Sequence, residues 1–134
     1  EEEINRQGLC DRINLPGWMS QEEVMAWFAR SDVLFMPSFT EGLPIVGLQA
    51  LVLGLAIVAT RVGGFMELVE PERNGYLVND AAGNGFSGPL REMLTDPEKL
   101  LSFRKASIEI AGQFDIRRIV QSYDNLFQET LEEK

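Results

Sequence analysis

One loop concentrates the groups that can do chemistry. From Pro37 to Ala50 it reads P-S-F-T-E-G-L-P-I-V-G-L-Q-A, with a single carboxylate, Glu41, just ahead of a predicted helix. The first amides of such a helix, at Ile45, Val46 and Gly47, have no partner one turn back and can face an anion. Gly42 removes side-chain bulk where a ligand would approach, and Pro44 suits the first helical position because the amide it lacks would be unpaired there anyway. Gln49 lies one turn above Ile45 among Leu48, Ala50, Leu51, Val52 and Leu53. A polar amide in apolar company needs a partner, either in the protein or in a ligand lying across the helix start. Residue types alone favour the plainer outcome, a solvated loop glutamate and a glutamine bonded to nearby backbone.

The elements that must position this loop follow from periodicity. Val33 to Met36 is a continuous apolar run stopped by Pro37, and Ala56 to Ala59 and Gly75 to Val78 are two more. Each is predicted as a strand, and strands apolar on both faces that alternate with helices imply a parallel sheet covered on both sides. Arg12 to Leu15, ended by Pro16 and Gly17, is predicted as a further strand. Ser20 and Glu23 form a capping box for a helix that would bury Val24, Met25, Trp27 and Phe28. Pro44 opens the next helix and Gly54 ends it, with a short helical stretch expected between Thr60 and Val69. Three helices close the chain: about Ser87 to Leu94, one opened by Asp96 and Pro97, and one from Asp115 with Ile116, Val120, Tyr123, Phe127 and Leu131 on one stripe. In a sheet of this kind ligands bind beyond the carboxyl ends of the strands, so the loops after Leu15, Met36 and Ala59 matter most.

Composition narrows the classes of function. The chain has 134 residues, 45% of them apolar, enough for one domain with a real core. Its formal charge is -9 and its arginines are scattered rather than striped, which makes nucleic acid and anionic membrane poor partners. Cys10 is the one cysteine and histidine is absent, excluding a disulfide framework, a zinc cluster and any imidazole base from this chain. A reducing, cytoplasmic setting fits. The apolar stretch from Leu43 to Ala59 falls short of the roughly 20 residues of a membrane span and is broken by Pro44, Gly47, Gln49 and Gly54. No acidic pair with metal-ligand spacing stands out in the site loops, so no metal is expected. The opening run Glu1, Glu2, Glu3 has no initiator methionine and reads as a cut from a larger protein.

Several ordered blocks then resemble one family. F-M-P-S-F-T-E-G-L-P-I-V-G-L-Q-A-L-V-L-G-L-A-I-V-A-T, from Phe35 to Thr60, is similar to the signature of glycosyltransferase family 4, retaining GT-B enzymes that use nucleotide-activated sugars. R-I-N-L-P-G-W-M-S-Q-E-E-V upstream, and V-G-G-F-M-E-L-V-E-P-E-R-N-G-Y-L-V and F-D-I-R-R-I-V-Q-S-Y downstream, resemble its other blocks, so the likeness spans nearly the whole chain. It implies an α/β Rossmann-like parallel sheet with helices on both faces, the GT-B C-terminal half without its first strands. Glu41 matches the first glutamate of an E-x7-E motif, the catalytic position that contacts the donor sugar. Leu43, Pro44, Ile45 and Val46 match the segment along the sugar and diphosphate, with Gly42 before them counted as donor-binding for the room it leaves. Trp18 and Met19 match the turn facing the base, and Gly63 and Gly64 a loop near the phosphates. Trp18 could equally pack in the core, and the glycine pair could serve a turn alone.

The sequence departs from the family at Gln49, which stands where a second glutamate usually binds the ribose hydroxyls. A neutral acceptor contributes about 0.5–1.5 kcal/mol against about 1.5–3 for a charged one, so weaker ribose binding is expected. The Arg/Lys pair that holds the diphosphate in the family, and its acceptor-binding domain, would precede Glu1. The resemblance therefore implies the donor-binding part of an enzyme that moves a sugar from a nucleoside diphosphate to an acceptor, inactive by itself, with the nucleotide sugar as substrate and no cofactor. The alternative is a non-catalytic nucleotide-sugar-binding or scaffolding module that kept the fold. An unrelated nucleotide-binding domain would need a Gly-rich strand-to-helix turn that is absent. With the central strands missing from a sheet of order 3-2-1-4-5-6, the strands near Ile13 and Leu34 are expected to pair directly or to be completed by exchange between two copies.

Overall fold

A computed structural model of the chain describes residues 1–79, 83 and 85–132. Among them, three strands form one parallel sheet in the order β1 (Val33–Met36), β2 (Ala56–Thr60), β3 (Gly75–Val78). Leu34 lies opposite Ile57, and Val58 opposite Tyr76, so β2 is the middle strand. All five of its residues are buried, as a strand covered on both faces requires.

The alternation of side chains along β2 splits the core in two. Ile57 and Ala59 face one layer with Leu34, Ala50, Leu51, Phe65, Leu68 and Ile110. Ala56 and Val58 face the other with Val78, Phe86, Met93 and Phe103. The first layer is covered by α3 (Ile45–Val52) and α4 (Phe65–Leu68), the second by α5 (Ser87–Thr95), while α6 (Pro97–Ala111) places Ile110 in one and Phe103 in the other. Helix α6 is tied to the β2 entrance by Ser107, whose hydroxyl donates to the Leu55 carbonyl at 2.7 Å, and by Arg104, which donates to Gly54 at 2.8 Å.

The helix ends follow local chemistry. Ser20 and Glu23 make the reciprocal capping box that opens α2 (Gln21–Phe28), with the Ser20 amide donating to Glu23 at 2.7 Å. Asp96 accepts the Lys99 amide at 3.0 Å with Pro97 as first helical residue of α6. Gly54, at φ 69, takes the left-handed turn that ends α3. Pro44 differs slightly from expectation, serving as N-cap of α3 rather than its first helical residue.

The amino-terminal region corrects two expectations. Residues 12–15 form no strand, and Ile13 and Leu15 are exposed; a short helix, α1 (Glu2–Arg6), precedes them. A strand is stable only when a neighbour takes its amides and carbonyls, and no neighbour is there among the described residues. The direct pairing of Ile13 with the Leu34 strand is thus not formed, and β1 pairs with β2 alone. Helix α2 also buries less than its pattern promised. Val24, Met25 and Phe28 are half-buried, and Trp27 is exposed beneath the Arg30 guanidinium at 5.1 Å. At the other end, α7 (Ile116–Glu132) carries the expected stripe of Ile116, Val120, Tyr123, Phe127 and Leu131, all exposed.

Candidate functional site

The carboxyl ends of β1 and β2 bring two loops together. After β1 the chain passes through Pro37 to Gly42 into α3, and after β2 it turns at Gly63 and Gly64 into α4. The Gly64 amide donates to the Gly42 carbonyl at 2.7 Å, pinning one loop to the other. Their approach tolerates no side chain. A Cβ at Gly63, where φ is +49, would stand 1.7 Å from the Glu41 carbonyl oxygen, and one at Gly64 would stand 2.7 Å from the Leu43 Cα. Gly63 and Gly64 therefore hold Glu41, Gly42 and Leu43 in place by contact, which is more than a turn role.

Glu41 is half-buried, and its carboxylate is oriented by the Ser38 hydroxyl, which donates to Oε1 at 2.7 Å. This partner was not anticipated from the sequence. The signal was there, because Ser38 and Glu41 have the same three-residue spacing as Ser20 and Glu23 in the capping box. A carboxylate with one oxygen engaged and held from below by a glycine turn keeps the other oxygen available to a ligand.

Helix α3 supplies the electropositive end. Pro44 has no side-chain cap to offer, and its carbonyl accepts the Gly47 and Leu48 amides at 3.0 and 3.2 Å. Gly47 is thus removed from the three amides expected to face an anion. Ile45 and Val46 keep theirs free among the described residues, and both sit at the positive end of the helix dipole. Ile45 and Leu43 are exposed, Pro44 is buried and Val46 half-buried. Gln49 is half-buried and its amide bonds no protein group among the described residues, so the nearby-backbone role is not observed.

Trp18 and Met19 do not join this cluster through any hydrogen bond among the described residues. Trp18 is 104% exposed, which removes it from the core, and Met19 is half-buried. Glu41, Gly42, Leu43, Pro44, Ile45 and Val46 form one contiguous stretch on which Gly63 and Gly64 are seated, with Gln49 a turn behind.

The family model described as Glycosyl transferases group 1 matches residues 1–110. The chain belongs to the glycosyl transferases group 1 family. Among curated relatives, it is 32% identical over 94 residues to a D-inositol 3-phosphate glycosyltransferase of Arthrobacter sp. strain FB24, covering 70% of this chain and 22% of that one. It is 24% identical to D-inositol 3-phosphate glycosyltransferase 2 of Catenulispora acidiphila over 96% of this chain and 30% of the relative. The structure of Anabaena Alr3699/HepE in complex with UDP matches with a TM-score of 0.79 at 26% identity, over 96% of this chain and 35% of that one. Sucrose-phosphate synthase from Thermosynechococcus elongatus shares the fold, with a TM-score of 0.80 at 24% identity over 99% of this chain and 34% of its own. The chain thus spans about a third or less of the length of these group 1 relatives and structural neighbours. The Rossmann-like α/β fold expected from the sequence agrees with the parallel sheet and with these neighbours. No helix among the described residues is long and apolar enough to cross a membrane.

Proposed function

We propose that this chain is part of the C-terminal donor-binding half of a retaining GT-B glycosyltransferase of family 4, which moves a sugar from a nucleoside diphosphate to an acceptor. The observation that carries the reading is the seating of Gly63 and Gly64 on the Glu41–Leu43 backbone, which fixes a half-buried carboxylate beside the open amides of Ile45 and Val46. The solved complexes of Anabaena Alr3699/HepE with UDP and with UDP-glucose, at 26% and 25% identity, support a nucleotide sugar as the ligand.

In this reading the α3 amides hold the diphosphate and Glu41, oriented by Ser38, accepts hydrogen bonds from the sugar hydroxyls near its reacting carbon. As the bond from that carbon to the diphosphate oxygen breaks, negative charge grows on the leaving group, and dipoles already aimed at it offset that charge without reorganising. The acceptor hydroxyl forms the new bond on the same face as the bond to the diphosphate breaks, and its proton passes to the departing diphosphate oxygen. Gln49 accepts from the ribose in place of a carboxylate, and Trp18 and Met19 lie on the base side. The acceptor and the rest of the diphosphate site come from the larger protein, so this chain alone does not complete a transfer.

Calorimetric titration of UDP- and GDP-sugars into the larger protein that contains this chain tests the reading. Saturable binding of one of them is expected. Binding of neither would leave a scaffolding module that kept the fold.

A further inference from the structure

Arg61 is the one basic residue in the loops that leave the carboxyl ends of the strands among the described residues. Its backbone is fixed on both sides. The Arg61 amide donates to the Val78 carbonyl at 2.8 Å, and the Val62 amide returns to the Thr60 carbonyl at 2.8 Å, a three-residue turn centred on Arg61 at the end of β2. The side chain, by contrast, is exposed and pairs with no acid among the described residues. Arg73, Arg104 and Arg117 are each engaged by a carboxylate.

Position gives this cation a use. Arg61 precedes Gly63 by two residues, at most about 7 Å of chain, and Gly63 touches the Glu41 carbonyl. The turn that carries Arg61 therefore runs into the glycine pair seated on the segment that leads to Ile45 and Val46. The charge balance there also calls for it, since Glu41 contributes a full negative charge and the two amides only partial positive ones. A diphosphate entering beside Glu41 needs cations, and Arg61 is the one that the strand-end loops offer among the described residues, beside the Arg/Lys pair that the family resemblance assigns to the larger protein.

We propose that Arg61 is a substrate-binding residue whose guanidinium pairs with the diphosphate oxygens of the donor and offsets the charge of Glu41. This rests on the donor-site reading above. Arginine is suited to the task because its planar fork bonds two phosphate oxygens at once and is always charged.

The test compares nucleotide with nucleoside. Isothermal titration of UDP and uridine, and of GDP and guanosine, is run on the larger protein that contains this chain, as wild type, Arg61→Ala and Arg61→Lys. Alanine keeps the backbone amide that bonds Val78, so all three should melt together. Arg61→Ala is expected to weaken the diphosphate by about tenfold or more while leaving the nucleoside unchanged. Arg61→Lys should lose less, because the charge remains. Equal diphosphate affinity in Arg61→Ala, or an equal loss for the nucleoside, overturns the assignment and leaves the donor site standing. A wild type that binds neither UDP nor GDP overturns the donor-site reading, and this assignment with it.

Discussion

At Glu41, position and function separate cleanly. Among the described residues the carboxylate hydrogen-bonds only the Ser38 hydroxyl, and it is half-buried, so its charge adds little to the core. Glu41→Gln keeps an oxygen that Ser38 can bond. In the enzyme that contains this chain, the substitution should lower kcat by about 100-fold or more and change stability by less than about 1 kcal/mol. Steady-state kinetics beside thermal melts check both, and unchanged turnover would remove Glu41 from the reaction. Gln49 offers the opposite experiment. Since its amide is unbonded among the described residues, Gln49→Glu should restore a charged acceptor and tighten nucleotide binding by up to about tenfold. Calorimetry giving weaker binding together with a lower Tm would make Gln49 a structural residue instead.

Elements were legible wherever one stretch of sequence carries its own instructions. The Ser20 and Glu23 box, Asp96 with Pro97, and Gly54 each mark a boundary by local bonding, and the boundaries stand where those residues put them. The apolar runs of β1, β2 and β3 are likewise self-announcing. The segment 12–15 was not, because its alternation describes what a strand would bury and says nothing of whether a neighbour exists. The contact of Gly63 with Glu41, and the station of Arg61 opposite Val78, join residues far apart in sequence and became visible only with the fold. Asn74 belongs to the same class. It is fully buried at the turn into β3, accepts the Glu70 amide at 2.8 Å and donates to the Leu68 carbonyl at 3.0 Å. Asn74→Ala leaves both backbone groups unpaired in the interior, and urea unfolding should show a loss of about 3 kcal/mol. A loss under about 1 kcal/mol would mean that water replaces the side chain. The start of α7 carries a pH signature of its own. Hydrogen bonds from the Arg117 side chain, and then its backbone amide, lower the Asp115 carboxyl from its ordinary 3.8 to about 2. A depressed carboxylate contributes fully above pH 3.8 and loses its contribution as pH falls through about 2. Hydrogen-exchange protection at the first turn of α7, taken relative to the intrinsic rate at each pH, should therefore fall over that window in the wild type and be unchanged by pH in Asp115→Asn. Parallel behaviour of the two would show that Asp115 does not hold the helix.

At the scale of the whole molecule, the buried layers around β2 contrast with surfaces that no described residue covers. One is the outer edge of β1, whose backbone groups have β2 on one side only and whose Phe35 is exposed while meeting Phe86 edge-on at 5.1 Å. The other is the apolar stripe of α7, which presents Tyr123 and Phe127 to solvent. An unpaired edge and a contiguous apolar face are both surfaces that a protein in water tends to cover. Closure within one copy, by pairing of the Ile13 segment with β1, is not what the structure shows. In the larger protein, the strands that the family resemblance places ahead of this chain would cover the β1 edge. For the 134-residue chain by itself what remains is another copy, so it should associate in a concentration-dependent way. Light scattering over a range of concentrations reads this directly, and a monomer throughout would overturn it. Two variants then separate the surfaces. Phe127→Lys puts a charge in the middle of the helical stripe and should disperse an assembly built on α7, whereas an assembly built on the β1 edge should survive it. Phe35→Pro at the edge strand should do the reverse, because proline removes an amide from the strand and obstructs a new neighbour. Dissociation by the edge variant alone would favour strand exchange between copies, the arrangement that restores partners to β1.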